Sequence, residues 1–281
     1  MRNEAAKAHG MLVKFWKMNG AGNDFICLDN RLRHLRLTKA ERARLCSRQF
    51  GIGADGLLIM ERPKSKETDF RMRYYNADGG EAEMCGNGAR CFARFARRIG
   101  GTRVSRVEFS TKAVVVAAKF LDGKQVLVEL TAPGDVRLNQ KVETSRGALT
   151  VHCLNTGVPH AVVFVDDVEK IDVKKFGAEL RWHEKFQPKG TNVNFAQILA
   201  PGKIKVRTYE RGVEDETLAC GTGVTATALA AAAAHGFQSP VSVSVRSKAR
   251  LRVLFTVSGG GFEKVKLQGP VEFTFTGEID V

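Results

Sequence analysis

The chain has nothing with which to cross a membrane as a helix: no apolar run in its 281 residues approaches the ~20 that a bilayer-spanning helix needs. The opening Met1-Arg-Asn-Glu-Ala-Ala-Lys-Ala-His-Gly10 has no apolar h-region and is not a secretory signal. It reads as a disordered extension, with Met11 as the original start. None of the six cysteines (27, 46, 85, 91, 153, 220) stands at Cys-x-x-Cys spacing, which argues against a zinc site. With no export signal, reduced thiols in the cytoplasm are expected rather than disulfides. No lysine sits in a recognisable pyridoxal-phosphate motif. A nucleic-acid reading motif is also missing, although the net charge is +14. The basic residues are spread along the chain, with small clusters at Arg31–Arg36, Arg94–Arg98 and Arg246–Arg252. They read as a solvated surface that aids solubility or draws in anionic ligands, and no nucleic-acid partner is expected.

What is present is an ordinary globular composition, 43% apolar and 26% charged, in a chain long enough for two domains. One stretch organises the rest. Arg71-Met-Arg-Tyr-Tyr-Asn76 reads as a strand end and Ala77-Asp-Gly-Gly80 as a turn. Cys85-Gly-Asn-Gly88 then opens a helix whose apolar positions are Ala89, Phe92, Ala93 and Ala96, and which Gly100-Gly101 ends. The pattern recurs: Arg207-Thr-Tyr-Glu210, a polar turn, Cys220-Gly-Thr-Gly223, and an alanine-rich helix from Val224 closed by His235-Gly236. The blocks share Arg-x-Tyr-(Asn/Glu), an acidic turn, Cys-Gly-x-Gly and a small-residue helix. A duplication of such long period indicates paired domains rather than a solenoid.

The remaining segments read mostly as strands. Met11–Lys17 alternates, Asn19–Asp24 is a glycine-rich loop, and Phe25–Leu28 is the next strand. Thr38-Lys-Ala-Glu41 has capping-box form and opens a helix to about Gln49. The flexible turn Gly51–Gly56 precedes a strand at Leu57–Glu61. Further strands are expected at Val104–Ser110, Ala113–Phe120 and Gln125–Leu130, with a domain switch at Thr131–Asp135 and a second series from Gly147. The expected fold is α+β: two pseudo-symmetric domains, each a curled, mainly antiparallel sheet around a central helix, with the active site in the cleft between them. The domains are 11–131, completed by a C-terminal strand at 271–281, and 132–270, with 1–10 outside both.

Each of Cys85 and Cys220 is thus placed at a helix mouth, where free N–H groups and the helix dipole favour negative charge. That position is expected to lower a thiol pKa from about 8.5 toward neutrality. Two such thiols facing one bound molecule can remove a proton from one side of a carbon and return one to the other, which inverts a stereocentre. At an amino-acid α-carbon the developing charge lies beside a carboxylate, and two helix N-termini can stabilise it once water is excluded. No organic cofactor and no metal is then required.

At these residues the sequence resembles the diaminopimelate epimerases, pyridoxal-phosphate-independent enzymes of lysine and peptidoglycan precursor synthesis. The resemblance runs from about Val13 to Ile279. It is carried by Lys17-Met-Asn-Gly-Ala-Gly-Asn-Asp-Phe25, Gly51-Ile-Gly-Ala-Asp-Gly56, Asn76-Ala-Asp-Gly-Gly-Glu81, Cys85-Gly-Asn-Gly-Ala-Arg90, Gly190-Thr-Asn-Val-Asn-Phe195, Tyr209-Glu-Arg-Gly212 and Ala219-Cys-Gly-Thr-Gly223. It implies that Cys85 and Cys220 are the acid/base pair, with His160 beside one thiol and Glu210 beside the other. It implies that Asn23, Asn76, Asn194, Glu210 and Arg211 grip the substrate, chiefly its distal, non-reacting centre. The backbone N–H groups of Gly86-Asn87 and Gly221-Thr222 then hold the reacting carboxylate. It also implies a homodimer. Two positions depart from the family pattern: some members carry an amide where Gly56 stands and an Asn before Pro-His where this chain has Val158. The alternatives weighed are a proline or hydroxyproline racemase of the same architecture, a basic nucleic-acid-binding homologue, and a redox protein with a working Cys85–Cys220 disulfide.

Overall fold

A computed structural model describes residues 11–101, 105–145 and 147–281, so the expected extension at 1–10 and the start of the strand expected from Val104 lie outside the described residues. The first half of the chain forms β1 (Leu12–Gly20), β2 (Asn23–Asp29), α1 (Lys39–Cys46), β3 (Gly56–Glu61), β4 (Phe70–Asn76), β5 (Glu81–Ala82), α2 (Gly86–Ile99), β6 (Arg106–Ser110), β7 (Val115–Phe120) and β8 (Gln125–Glu129). The second forms β9 (Gly134–Thr144), β10 (Gly147–Asn155), β11 (Pro159–Phe164), α3 (Val173–Arg181), β12 (Asn192–Ala200), β13 (Lys203–Glu210), β14 (Asp215–Thr217), α4 (Gly221–His235), β15 (Val241–Ser244), β16 (Arg250–Ser258), β17 (Gly261–Pro270) and β18 (Glu272–Asp280).

Hydrogen bonding links the strands into one continuous path that can be followed outward in two directions from the β8–β17 pair. One arm runs β8, β7, β6, β4, β3, β2, β1, β18. The other runs β17, β16, β15, β13, β12, β11, β10, β9. The arms match step for step. Each has two parallel steps, β2/β3 and β4/β6 in one, β11/β12 and β13/β15 in the other, and the rest are antiparallel. A parallel step needs a crossover, and each crossover carries a helix: α1 and α2 in the first arm, α3 and α4 in the second. The architecture is α+β with internal pseudo-symmetry, and the last strand β18 pairs with β1 from Leu12 to Asn19.

Local chemistry explains these elements. Thr38 accepts from the Glu41 N–H while Glu41 reaches back to the Thr38 N–H, so the capping box forms, though α1 stops at Cys46, short of Gln49. The expected glycine-rich loop at 19–24 is instead a tight hairpin: β1 continues to Gly20, β2 begins at Asn23, and only Ala21 and Gly22, at φ 64° and 101°, make the turn. The central helices fill the concave faces of the curled arms. In α4, Gly221 to Ala231 are buried except Thr222, because alanine lets strands approach from every side. In α2, Phe92 and Phe95 pack inward, while Arg97 and Arg98 on the outer face stack over Phe120 and Phe273. Residues of both helices belong to one apolar cluster.

Candidate active site

Equivalent elements of the two arms meet at the N-termini of α2 and α4. Cys85 caps α2 and Cys220 caps α4, both with extended backbone. The two mouths touch: a Cβ on Gly86 would lie 3.8 Å from the Cα of Gly221, and one on Gly221 would lie 3.1 Å from Asn87 Oδ1. Glycine at both positions is what lets the helix ends come this close. Asn87 bridges the arms, donating from Nδ2 to Ala219 O at 3.1 Å while its Oδ1 accepts from Arg90 Nη2 at 2.8 Å.

The Arg-x-Tyr blocks frame this junction in the same way in each arm. Arg73 on β4 makes a two-pronged pair with Glu81 of β5 (3.0 and 2.9 Å), and Arg207 on β13 makes one with Glu216 of β14 (2.7 and 2.8 Å). Those arginines serve the scaffold. The residues that follow at the strand ends, Asn76 and Glu210, both face the cavity between the arms.

That cavity measures about 180 Å³. Both cysteines line it, as do Asn23, Asn76, Gly86, Asn87, Glu210, Arg211, Gly221 and Thr222. A wider chamber of about 710 Å³ adjoins it, shares Asn76, Val158 and Arg211, and carries Arg137, Lys185 and Lys189. His160 and Asn194 do not line the cavity. Both are buried behind the first turn of α4: Asn194 Nδ2 lies 3.1 Å from His160 Nδ1, and its Oδ1 accepts from the Thr208 hydroxyl at 3.0 Å. The amide that does reach the cavity from β12 is Asn192, whose Oδ1 accepts from the Arg211 N–H at 2.9 Å and whose Nδ2 donates to Pro159 O at 2.9 Å. Asn192 and Asn194 point to the same side of one strand, and only the strand's end opens on the cavity. That shared two-residue spacing is the signal in Gly190-Thr-Asn-Val-Asn194 that could have found Asn192. Tyr74, Thr131 and Thr156 also line the cavity and carry no sequence signal of their own.

The electrostatics reverse one expectation. Cys85 Sγ accepts from the Gly88 N–H at 3.4 Å and lies 3.7 Å from Asn23 Oδ1, yet its pKa is pushed up to about 11. Burial is the largest cause; the Glu210 charge adds to it, and the backbone N–H groups of Gly88 and Asn87 with Arg90 pull the other way. Cys220 is raised further by burial and by Glu210, and the Thr222 hydroxyl, 3.4 Å from its sulfur, opposes that rise. The helix mouth does act as expected, but desolvation by burial outweighs it. Burial raises the Glu210 carboxyl above its usual range. Burial, helped by the charge of Arg211, lowers His160 to about 3, so its imidazole is neutral and lends no cation to a thiolate. Among the described residues no group of three or more His, Cys, Asp or Glu could hold a metal ion.

The profile of the family described as diaminopimelate epimerase matches residues 15–136 and 152–268. A diaminopimelate epimerase from Aquifex aeolicus is 43% identical over 278 residues, 95% of this chain and 98% of its own. One from Methanocella arvoryzae is 41% identical over 281 residues, 96% and 97% of the two chains. Among solved structures, a hydroxyproline epimerase from Agrobacterium vitis with bound trans-4-hydroxy-L-proline superposes with a TM-score of 0.74 at 16% identity, covering 95% of this chain and 91% of its own. A Bacillus anthracis phenazine biosynthesis protein of the PhzF family has a TM-score of 0.74 at 15% identity, covering 96% and 100%. At such identities the structures share the fold alone.

Proposed function

This chain belongs to the diaminopimelate epimerase family and is an isomerase, and from that premise we propose that it interconverts L,L- and meso-diaminopimelate by proton transfer between Cys85, Cys220 and the α-carbon. The observation that carries the reading is that two N-capping cysteines from pseudo-equivalent positions line one cavity at touching helix mouths. One sulfur, as thiolate, takes the α-proton and becomes a thiol. The other, as thiol, gives its proton to the opposite face and becomes the thiolate. The electron pair left on carbon is delocalised into the carboxylate, toward the helix-mouth N–H groups of Gly86, Asn87, Gly221 and Thr222.

The raised thiol pKa values give substrate binding a second task. Burial keeps both sulfurs protonated at neutral pH. The α-ammonium of a bound amino acid supplies the cation that favours a thiolate, so the base is formed where and when it is needed. Asn76, Asn192, Glu210 and Arg211 offer the distal amino-acid head both donors and acceptors, and Arg211 suits its carboxylate. We take the two arms with their helices as domains, 11–131 with 271–281 and 132–270, that close on the substrate and expel water. The reading needs no metal or organic cofactor. It includes a cytoplasmic setting, which the six unpaired thiols favour, and a homodimer, which sedimentation would test. Basic charge does not enter it, and no nucleic-acid partner is invoked.

Exchange of α-protons in deuterated water, with diaminopimelate and proline side by side, tests the substrate. Exchange and inversion with diaminopimelate alone are expected, because proline has no second head for Arg211 and Asn192. Exchange with proline alone would overturn the substrate.

A further inference from the structure

The segment Gly51–Gly56 has no role in that chemistry, yet its Asp55 reaches the site through a neighbour. Asp55 Oδ2 accepts from Asn23 Nδ2 at 2.7 Å and from the Asp24 N–H at 3.1 Å, and Oδ1 accepts from Arg48 Nη2 at 2.9 Å. Arg48 also pairs with Asp24 at 3.0 Å, and Lys17 with Asp24 at 2.8 Å, so the carboxylate sits in a braced network. An ionised carboxylate only accepts hydrogen bonds. It therefore fixes the Asn23 amide with its NH2 outward and its carbonyl oxygen inward. That oxygen lies 3.7 Å from Cys85 Sγ and 3.4 Å from Asn87 Nδ2.

An acceptor aimed at sulfur can take an S–H as donor but repels a thiolate, so it favours the protonated form. Cys220 has no such neighbour: the Thr222 hydroxyl beside it can donate or accept. The other titratable groups facing Cys85 are Arg90 and Cys91 on α2, Tyr74 on β4, Glu210 on β13 and Cys220 at α4. Of these only Arg90 favours a thiolate. We propose that Asp55 is a positioning residue which, by fixing the Asn23 amide with its carbonyl oxygen toward sulfur, favours the S–H form of Cys85 over its thiolate. The consequence for turnover rests on the two-thiol reading; the effect on the sulfur does not.

The test is the pH profile of Cys85 alkylation by iodoacetamide, followed on the Cys85 peptide of the full-length, substrate-free protein. Asp55→Asn is expected to move the midpoint to lower pH by roughly one unit, the scale of one hydrogen bond regained by the charged form. An amide at this position can donate as well as accept, which frees Asn23 to turn its NH2 onto sulfur. Asn23→Ala alone is expected to lower the midpoint too, and Asp55→Asn added to it to give no further shift. Asp55→Glu, still acceptor-only, is expected to keep the wild-type midpoint, and with Asn23→Ala it carries the test should Asp55→Asn fail to fold. An unchanged midpoint in Asp55→Asn, or an equal shift with and without Asn23, would overturn the proposal, the latter by showing a bare charge effect. An inactive protein with the expected profile would instead count against the two-thiol reading and leave Asp55 its role.

Discussion

The two arms share a backbone plan and differ in what surrounds their sulfurs. At the α2 mouth, Cys85 takes a bond from the Gly88 N–H, faces the Asn23 carbonyl, and is followed by Asn87, which crosses to the other arm. At the α4 mouth, Cys220 has no side-chain cap bond, and Gly223 is pressed against Asn194 and, behind it, His160. Even the residues five places after each cysteine differ. Arg90 and Thr225 both reach back to the carbonyl of the first helical glycine, at 3.3 and 2.9 Å, but only Arg90 brings a charge, held without a carboxylate partner among the described residues. Duplication accounts for the pairing of two thiols; divergence accounts for their inequality. On the two-thiol reading inversion needs the pair, since one sulfur gives a proton while the other takes one.

Substitutions at equivalent positions break the comparison most sharply. A Cβ at Gly223 would lie 2.3 Å from Asn194 Oδ1, whereas at Gly88 the nearest atoms are 3.4 Å away. Gly223→Ala is therefore expected to cost about 2–3 kcal/mol in urea unfolding, as an overpacked buried site does, and Gly88→Ala less than about 1 kcal/mol. The next pair is Asn87 and Thr222. Asn87→Ala removes the bridge to Ala219 and leaves Arg90 Nη2 without its acceptor, a loss of about 1–3 kcal/mol, against less than about 0.5 kcal/mol for Thr222→Ala. The smallest effect separates the sulfurs themselves. As pH rises from 8 with no substrate present, Cys85, partly exposed and near 11, is expected to be alkylated before Cys220, which is higher. The same shift bears on stability. A thiol whose folded pKa lies above its unfolded value stabilises the fold fully below the unfolded pKa, and that contribution is lost as pH climbs toward the folded one. For Cys85 the window opens near the ordinary thiol value of about 8.5 and extends to about 11, so Tm is expected to fall across it, and less steeply in Cys85→Ser.

Much of this was legible in the sequence because it rests on local rules. The two Cys-Gly-x-Gly helix mouths, the Thr38 capping box and the alanine-rich helix closed by Gly236, which is left-handed at φ 69°, follow from capping and propensity. Other features depend on partners far along the chain. The parallel steps cannot be read from alternation, which gives a strand its faces but not its neighbours. β9 carries no strand signal: its first two residues fall in the expected domain switch at Thr131–Asp135, its residues from Gly134 to Arg137 are exposed, and its charges mimic a linker. The motif points to Asn194 and not to Asn192, because motif spacing does not say where a strand's end opens. The helix mouth alone implies a lowered thiol pKa, while burial, a property of the assembled fold, is the larger influence.

The central claim is that inversion takes two sulfurs, and paired single substitutions measure it most directly. Cys85→Ser and Cys220→Ser, each assayed with both diaminopimelate stereoisomers in deuterated water, are each expected to lose inversion by at least about 10²-fold, the usual worth of a positioned acid or base. Each should retain its folded state, and the two should differ in which isomer still exchanges its α-proton. Inversion at the unsubstituted rate in either variant would show that one thiol suffices and would contradict the account.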